Sequence, residues 1–531
     1  MPSALTYPGV YIEELPSGVR TITGVSTSNT AFVDFFARGP LNQAVRITSF
    51  AEFERIFGGV TSNSEASYGI KQFYINGGSV AFVVRVAGGS PAKASLTLQG
   101  GSPPQDTLVV RAKYEGTWAN SAVQIAAVQA AGGRFNLFVR QVAVQNGAVV
   151  LQAGRPTVLA TEAFRNLTMD TSSPDYVVTA LADSELVEAS NPGLGDVPNG
   201  SVGDATGGPA GASAWTSPTG GSLSGGSDGA VPNTASELLG SAGARTGMYA
   251  LDGIAPDIFN ILCLPVAATL DASNMRSAYD EALTYCIDKR AFLLVDIPHT
   301  VTAPAEMVTA LGDLPSDNHA AVYFPRLLQP DPVNNGRSRN VASSGTMAGI
   351  YARTDATRGV WKAPAGTDSV LRGADIAEIL TDGQNGGINP LGVNVLRNFP
   401  VFGNVAWGAR TLDGADQKAS EWKYIPVRRT AMFIEESLYE ALKWVVFEPN
   451  DEPLWSQIRL NVGAFMNDLF RQGAFQGSTP RDAYFVKCDK ETTTQNDINR
   501  GVVNIVVGFA PLKPAEFVFI KLQQLAGQIA A

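Results

Sequence analysis

The run Gly225-Gly226-Ser227-Asp228-Gly229 fits G-x-S-x-G, the pattern that presents a serine nucleophile on a sharp turn, and His299 and His319 lie downstream as candidate bases. Such an elbow needs a strand running into the turn and a helix leaving it. The residues before it, Trp215-Thr216-Ser217-Pro218-Thr219-Gly220-Gly221-Ser222, have a loop's composition, and in a stretch this rich in Gly and Ser the match is expected by chance. An α/β hydrolase acting through Ser227 is therefore a minor alternative. The chain has only 2 histidines, each expected on the surface or in a loop, and no His and Cys pair has the spacing of zinc ligands. Neither G-x-x-x-x-G-K-[ST] nor a G-x-G-x-x-G that opens a helix is present. The expectation is a protein with no catalytic residue, no cofactor and no metal.

The charged clusters read the same way. Glu13-Glu14 and Glu435-Glu436 are adjacent pairs whose side chains diverge, which suits a solvated face or a helix N-terminus better than general acid and base work. Arg428-Arg429 suits a salt bridge, and no aromatic residue interleaves it as single-strand binding would require. A net charge of -10 argues against a nucleic-acid or anionic-membrane partner. Cys263, Cys286 and Cys488 lie far apart in apolar or half-apolar settings, the pattern of reduced thiols made in the cytosol. The N-terminal residues lack a basic flank followed by an apolar stretch, and no apolar run approaches the ~20 residues of a bilayer span, so neither a secretory signal nor membrane insertion is expected.

The elements that would carry these residues divide a 531-residue chain into several modules. With 45% hydrophobic residues, Gly 54 and Pro 31, it reads as a folded, turn-rich, mixed α/β (α+β) multi-domain protein. Residues 1–25 form an arm whose one strand, Val10, Tyr11, Ile12, Glu13 and Glu14, alternates Val10, Ile12 and Glu14 with Tyr11 and Glu13. No hairpin partner lies nearby, so its backbone groups must pair with something distant or with another chain. Residues 26–90 read as α/β: a buried strand over 31–36, a helix over 50–57 capped by Ser49 and ended by Gly58-Gly59, a helix over 66–76 and a strand over 80–86. Residues 91–190 read as a β-rich outer module with strands at 95–98, 107–112, 123–127, 135–140 and 148–152. Residues 191–245 read as a Gly/Ser-rich surface loop. Residues 246–400 resume the α/β rhythm with a strand at 259–265, a helix at 272–287 and a strand at 291–297, and with irregular connections at 325–332 and 383–392.

Residues 401–531 form the last module. A helix over 434–447 carries Ile434, Leu438, Ala441, Leu442 and Val445 on one stripe, with Glu435 and Glu436 near its positive end. A second helix, over 454–470, follows Pro453. Strands at 483–488, 502–509 and 516–522 close the chain. The last, through Phe517, Val518, Phe519, Ile520, Lys521 and Leu522, is apolar on both faces and must be covered by its own chain or by a neighbour.

Three blocks carry a family likeness. Tyr7-Pro8-Gly9-Val10-Tyr11-Ile12-Glu13-Glu14 resembles the N-terminal arm of contractile tail sheath proteins from myophages and related injection machines. Trp407-Gly408-Ala409-Arg410-Thr411-Leu412 is similar to an internal block of that family, as is the run from Val427-Arg428-Arg429-Thr430 through Glu435-Glu436-Ser437 to Gly508-Phe509-Ala510-Pro511. Weaker similarities occur at 223–229, 245–251 and 352–361. The resemblance implies a sheath core built from the two ends of the chain with outward-facing middle modules. It implies a non-enzymatic subunit, assembled in the bacterial cytoplasm into a helical homopolymer of stacked rings around an inner tube protein. Baseplate and tail-terminator or cap proteins would be its other partners, and contraction would drive the tube through a target envelope. Under that reading residues 10–14 and 517–522 are strands exchanged between subunits, and the amphipathic helix over 454–470 either faces the tube through Arg459 and Asp468 or serves core packing alone. A baseplate component of the same machine is the nearer alternative.

Overall fold

Thr30-Ala31-Phe32-Val33-Asp34 forms strand β1 (Thr30–Asp34), buried along its whole length, as a strand covered on both faces must be. In a computed structural model, which describes residues 20–145, 147–191, 196–204 and 207–522, β1 lies inside an eight-stranded sheet. Its other strands are β2 (Ala44–Ile47), β3 (Ala81–Arg85), β4 (Ile261–Cys263), β5 (Phe292–Val295), β6 (Ala320–Phe324), β7 (Asn394–Phe399) and β8 (Gly403–Ala406). The order is β2-β3-β1-β4-β5-β6-β7-β8. The six central strands are parallel, and β2 and β8 close the edges antiparallel.

Alternate residues feed two apolar layers. Ala31, Val33, Leu293, Val295 and Val322 point to helix α3, while Phe32, Phe292, Leu294 and Tyr323 point to α1, α2 and α4. These helices are α1 (Phe50–Phe57), α2 (Glu65–Asn76), α3 (Ala272–Asp288) and α4 (Ser344–Arg358). The expected cap of α1 forms: Ser49 Oγ accepts from Glu52 N at 3.2 Å, and Gly58, with φ 89°, closes the helix. Phe53 and Phe57 then pack on Phe36 with centroids 5.4 and 5.3 Å away.

Between β3 and β4 the chain leaves the sheet, builds a β module and returns. Strands Ser95–Gly100, Gln105–Ala112 and Val187–Ser190 form one small sheet; Val123–Ala130, Arg134–Val142, Val158–Leu167 and Gly220–Ser222 form another. Their inner faces meet around Leu108, Ile125, Leu137 and Leu223. Residues 148–152, expected as one strand, are two short pieces in successive hairpins, and the long edge strand Val158–Leu167 was not foreseen.

The expectation of a surface loop over 191–245 is corrected. Gly220–Ser222 pairs with Val123–Ala130, Leu223 is fully buried, and bridges Ser95 to Ser224, Ala92 to Ser227 and Gly88 to Ala230 zip the returning chain onto the outgoing one. The glycines reflect tight backbone packing as well as turns: a Cβ on Gly226 would overlap the carbonyl of Gly116.

Two further connections are ordered. Leu327–Asp331 is a strand, and its Pro330 lies beyond the short pairing with Asp375–Ile376, at an edge where proline is tolerated. Asp382–Ile388 is a helix because Thr381 and Gln384 cap each other reciprocally, which offsets the poor propensity of its glycines.

At the C-terminal end, helix α5 (Ile425–Ala441) starts nine residues before the expected boundary, with Pro426 in its first turn. Glu435 and Glu436 therefore lie in its interior, not at its positive end, and Glu436 is buried against Arg290 at 2.8 Å. Helix α6 (Glu452–Arg471) is capped by Asp451, whose side chain accepts from Leu454 N. Strands β9 (Tyr484–Lys487) and β10 (Val506–Phe509) form an antiparallel pair packed on α6.

Candidate functional site

The β9–β10 pair is a two-stranded sheet, and two strands alone are marginal. Among the described residues neither outer edge has a partner strand, so each presents its row of backbone donors and acceptors. Beside β10 runs a groove of about 740 Å³ floored by Ile434, Leu438, Leu442, Val507 and Phe509, with Arg290 and Lys443 at its rim. Phe485 is 50% exposed on the other face of the pair.

After β10 the chain is tied down once more, where Gln476 N donates to Ala510 O at 2.9 Å and Ala510 N to Ala483 O at 2.8 Å. It then crosses to the central domain, where Glu516 meets Arg410. Both guanidinium ends of Arg410 donate to Glu516 at 2.7 Å, and Arg410 also reaches Asp416 at 2.9 Å and Asn389 O at 3.0 Å. Burial alone would lower the pKa of Arg410, but Glu516 and Asp416 hold it above the ordinary arginine value. Over 517–522 the chain has no partner strand among the described residues: Phe517, Val518, Phe519, Ile520 and Leu522 are 69%, 80%, 88%, 80% and 94% exposed. No strand forms over 516–522, although the sequence alternates as a strand would.

The other end is rooted in the same region. Val10, Tyr11, Ile12, Glu13 and Glu14 lie outside the described residues. From residue 20 the chain runs across α5 and α6: Arg20 N donates to Asn461 at 3.1 Å, its guanidinium lies 4.4 Å from the Trp444 ring centroid, and Val25 N donates to Ser437 Oγ at 3.2 Å. Thr27 Oγ1 donates to Asp355 at 2.7 Å, and Arg429 clamps Asp355 at 2.9 and 2.6 Å while donating to Thr27 O at 2.8 Å. Burial opposes the charge on Arg429, and Asp355 more than restores it.

Arg459 and Asp468 are nine residues apart on α6, which at 3.6 residues per turn puts them on opposite flanks of the helix. Arg459 is engaged within the chain, with Glu452 at 2.6 Å and with the Cys488 carbonyl. Asp468 is exposed, on the outward face of α6 with Ser456, Gln457, Leu460, Ala464 and Arg471, whereas Arg459 is half-buried.

Ser227 lies in the zipped connection, bridged to Ala92, and its hydroxyl accepts from Gly229 N at 3.3 Å; no strand-to-helix elbow surrounds it. Asp228 accepts from Thr117 N at 2.6 Å, so the motif's acid secures a turn. His299 is exposed, and His319 is held by Asp317 at 2.8 Å. All three cysteines are buried and free. Among the described residues no group of three or more His, Cys, Asp or Glu could hold a metal ion, and no helix is long and apolar enough to cross a membrane.

Residues 417–524, which contain α5, α6, the open pair and the exposed segment, match the family described as phage tail sheath C-terminal domain. The chain is 29% identical over 195 residues to the tail sheath protein of Vibrio phage KVP40, covering 36% of this chain and 27% of that one. It is 25% identical over 294 residues to a putative prophage major tail sheath protein of Pseudomonas aeruginosa, covering 53% and 70%. Its C-terminal module is similar to that of phage tail sheath proteins. Sheath folds agree over nearly the whole length. The sheath of an extracellular contractile injection system, PVC, in its contracted state aligns with TM-score 0.58 at 21% identity, covering 98% of both chains. A sheath tail protein of Listeria innocua aligns with TM-score 0.59 at 15% identity, covering 93% and 96%. The aligned stretch spans about a quarter of the KVP40 sheath protein's length. Arg410, Asp355 and Glu516 did not stand out in the sequence as a site, since each forms its contact with a residue 74 or more positions away.

Proposed function

We propose that this chain is the repeating subunit of a contractile sheath, a non-enzymatic protein that polymerises head to tail around an inner tube by strand addition. The single observation that supports this best is a pair of opposites within one module: an open two-stranded sheet and, farther along the chain, an extended segment apolar on both faces with no partner strand among the described residues. A strand from a neighbour, 10–14 from one copy or 517–522 from another, completes the sheet through main-chain hydrogen bonds and extends the apolar floor begun by Val507 and Phe509. Each copy then gives and receives strands at different places. Such heterologous contacts do not close on themselves, so they propagate as a helix of subunits. The folded bodies are free to rotate about persistent strand links, which is how a metastable extended lattice relaxes to a contracted one. The exposed face of α6, Asp468 included, is the one offered to the tube, and the lowest ring seats on a baseplate.

The test is assembly of the purified chain with and without residues 1–19, which leaves the packed segment from Arg20 in place, followed by negative-stain microscopy and sedimentation. The full chain is expected to form long tubes, and the shortened chain to stay folded and unpolymerised. Normal tubes from the shortened chain would overturn strand donation by the N-terminal arm, and discrete hexamers or trimers from the full chain would favour a baseplate role.

A further inference from the structure

Both terminal segments are tied to the central domain by the same device. Arg410 is fully buried, and Arg429 is 4% exposed. Each forms a two-pronged contact with a carboxylate distant in sequence; the first sits where the chain passes from packed to exposed, and the second ties down Thr27, from which residues 20–26 run on across α5 and α6. On the C-terminal side the carboxylate, Glu516, is the last residue before the exposed run; Tyr424 Oη also donates to it at 3.2 Å and Lys423 Nζ lies 3.9 Å away. On the N-terminal side Arg429 and Asp355 together hold both the carbonyl and the hydroxyl of Thr27, at 2.8 and 2.7 Å. Surface pairs of the outer module have no such burial: Arg134 and Asp175 are 40% and 48% exposed.

We propose that Arg410 with Glu516 is a pin that fixes where the C-terminal exchange arm leaves the body, and that Arg429 with Asp355 and Thr27 anchors the root of the packed N-terminal segment, so that load between subunits passes into the central domain at these two points. This rests on the strand-exchange reading. A forked guanidinium–carboxylate contact fixes direction as well as position, which a single lysine contact does not. Because the arginines are out of water, added salt does not loosen them as it loosens surface pairs. The pins are positioning residues: they touch no partner themselves but set the register in which residues 517–522 reach one. They also account for two of the blocks on which the family likeness rests, since Arg410 lies in Trp407–Leu412 and Arg429 in the run from Val427.

The test uses nitroxide labels on the full chain, whose own cysteines are buried. A label at Ala515→Cys, on the body side of the pin, is expected to give a slow-motion spectrum that persists in 1 M salt. A label at Phe519→Cys, beyond the pin, is expected to give a fast one. Glu516→Gln, which leaves Asp416 and the Asn389 carbonyl on Arg410, is expected to make the first spectrum resemble the second and to lower tube yield at least tenfold. A fast spectrum at position 515 in the otherwise unaltered chain overturns the pin without any variant. So does an unchanged spectrum, or an unchanged tube yield, in Glu516→Gln. If the unaltered chain forms no tubes, strand exchange fails while the label comparison still decides whether the pin exists.

Discussion

Gly345 and Gly69 face each other where α4 crosses α2, so closely that a Cβ on Gly345 would overlap the backbone of Gly69. The contact seats α4 against the sheet and so places Asp355, near its far end, under the N-terminal segment at Thr27. Gly345→Ala cannot be accommodated by a side-chain rotation, because the obstructing atoms are backbone. It is expected to lower stability by about 1–3 kcal/mol, the range of overpacking in a filled core. Urea denaturation of the purified variant checks this; a midpoint equal to that of the unaltered chain would mean that the helices separate freely.

Asp355→Asn removes one half of a pair whose side chains are 3% and 5% exposed. Arg429 would be left charged in the interior, and leaving a buried charge uncompensated costs about 3–5 kcal/mol. The expected result is a large fall in the denaturation midpoint, with Arg428→Ala, which disrupts a pair at 3.3 Å with the half-exposed Glu435, changing it far less. Equal effects would show that burial of the Arg429 pair is not what stabilises this region.

Two carboxyl groups end neighbouring parts of the central sheet in full burial. Burial pushes Asp34 up to about 8 against two backbone N–H donors, Ala66 and Phe35, and pushes Asp296 up to about 6 against its contacts with Ser344 and Arg326. The folded chain therefore holds these protons more tightly than the unfolded chain does. Their contribution to stability is complete below the ordinary carboxylate range near pH 4, and is lost as pH rises through about 6 for Asp296 and about 8 for Asp34. A single such group changes stability by up to ~1.4 kcal/mol per pH unit in that window. Relative to the unaltered chain, Asp34→Asn is expected to gain stability steadily between pH 5 and ~8. Denaturation midpoints at three pH values measure this, and a difference independent of pH would contradict it.

Ser227→Ala is expected to change stability by no more than ~0.5 kcal/mol, as a substitution away from core and caps should. Neither protein should hydrolyse a p-nitrophenyl ester above background. Turnover lost with the serine would restore the hydrolase reading.

Much of this fold was legible because its signals are local. The Ser49 cap, the stripe on α6 and the dense apolar run of β1 follow from residues a few positions apart. The returning connection over 220–230 was misread because glycine serves flexibility and close backbone packing alike, and only the neighbouring strand at 88–95 distinguishes them. The start of α5 was misplaced because its first turns are buried through contacts made elsewhere in the chain, not through an amphipathic stripe of their own. At the site, alternation flagged 517–522 as a strand without a partner. Its anchor at Arg410, 106 positions before Glu516, required the fold.

The central claim is that residues beyond Glu516 are a strand meant for a neighbour. Deleting 517–531 tests it most directly, with sedimentation and negative-stain microscopy under conditions in which the full chain polymerises. The truncated chain is expected to keep an unchanged melting curve, to remain monomeric and to form no tubes. Tubes of normal length and diameter from that chain would contradict it.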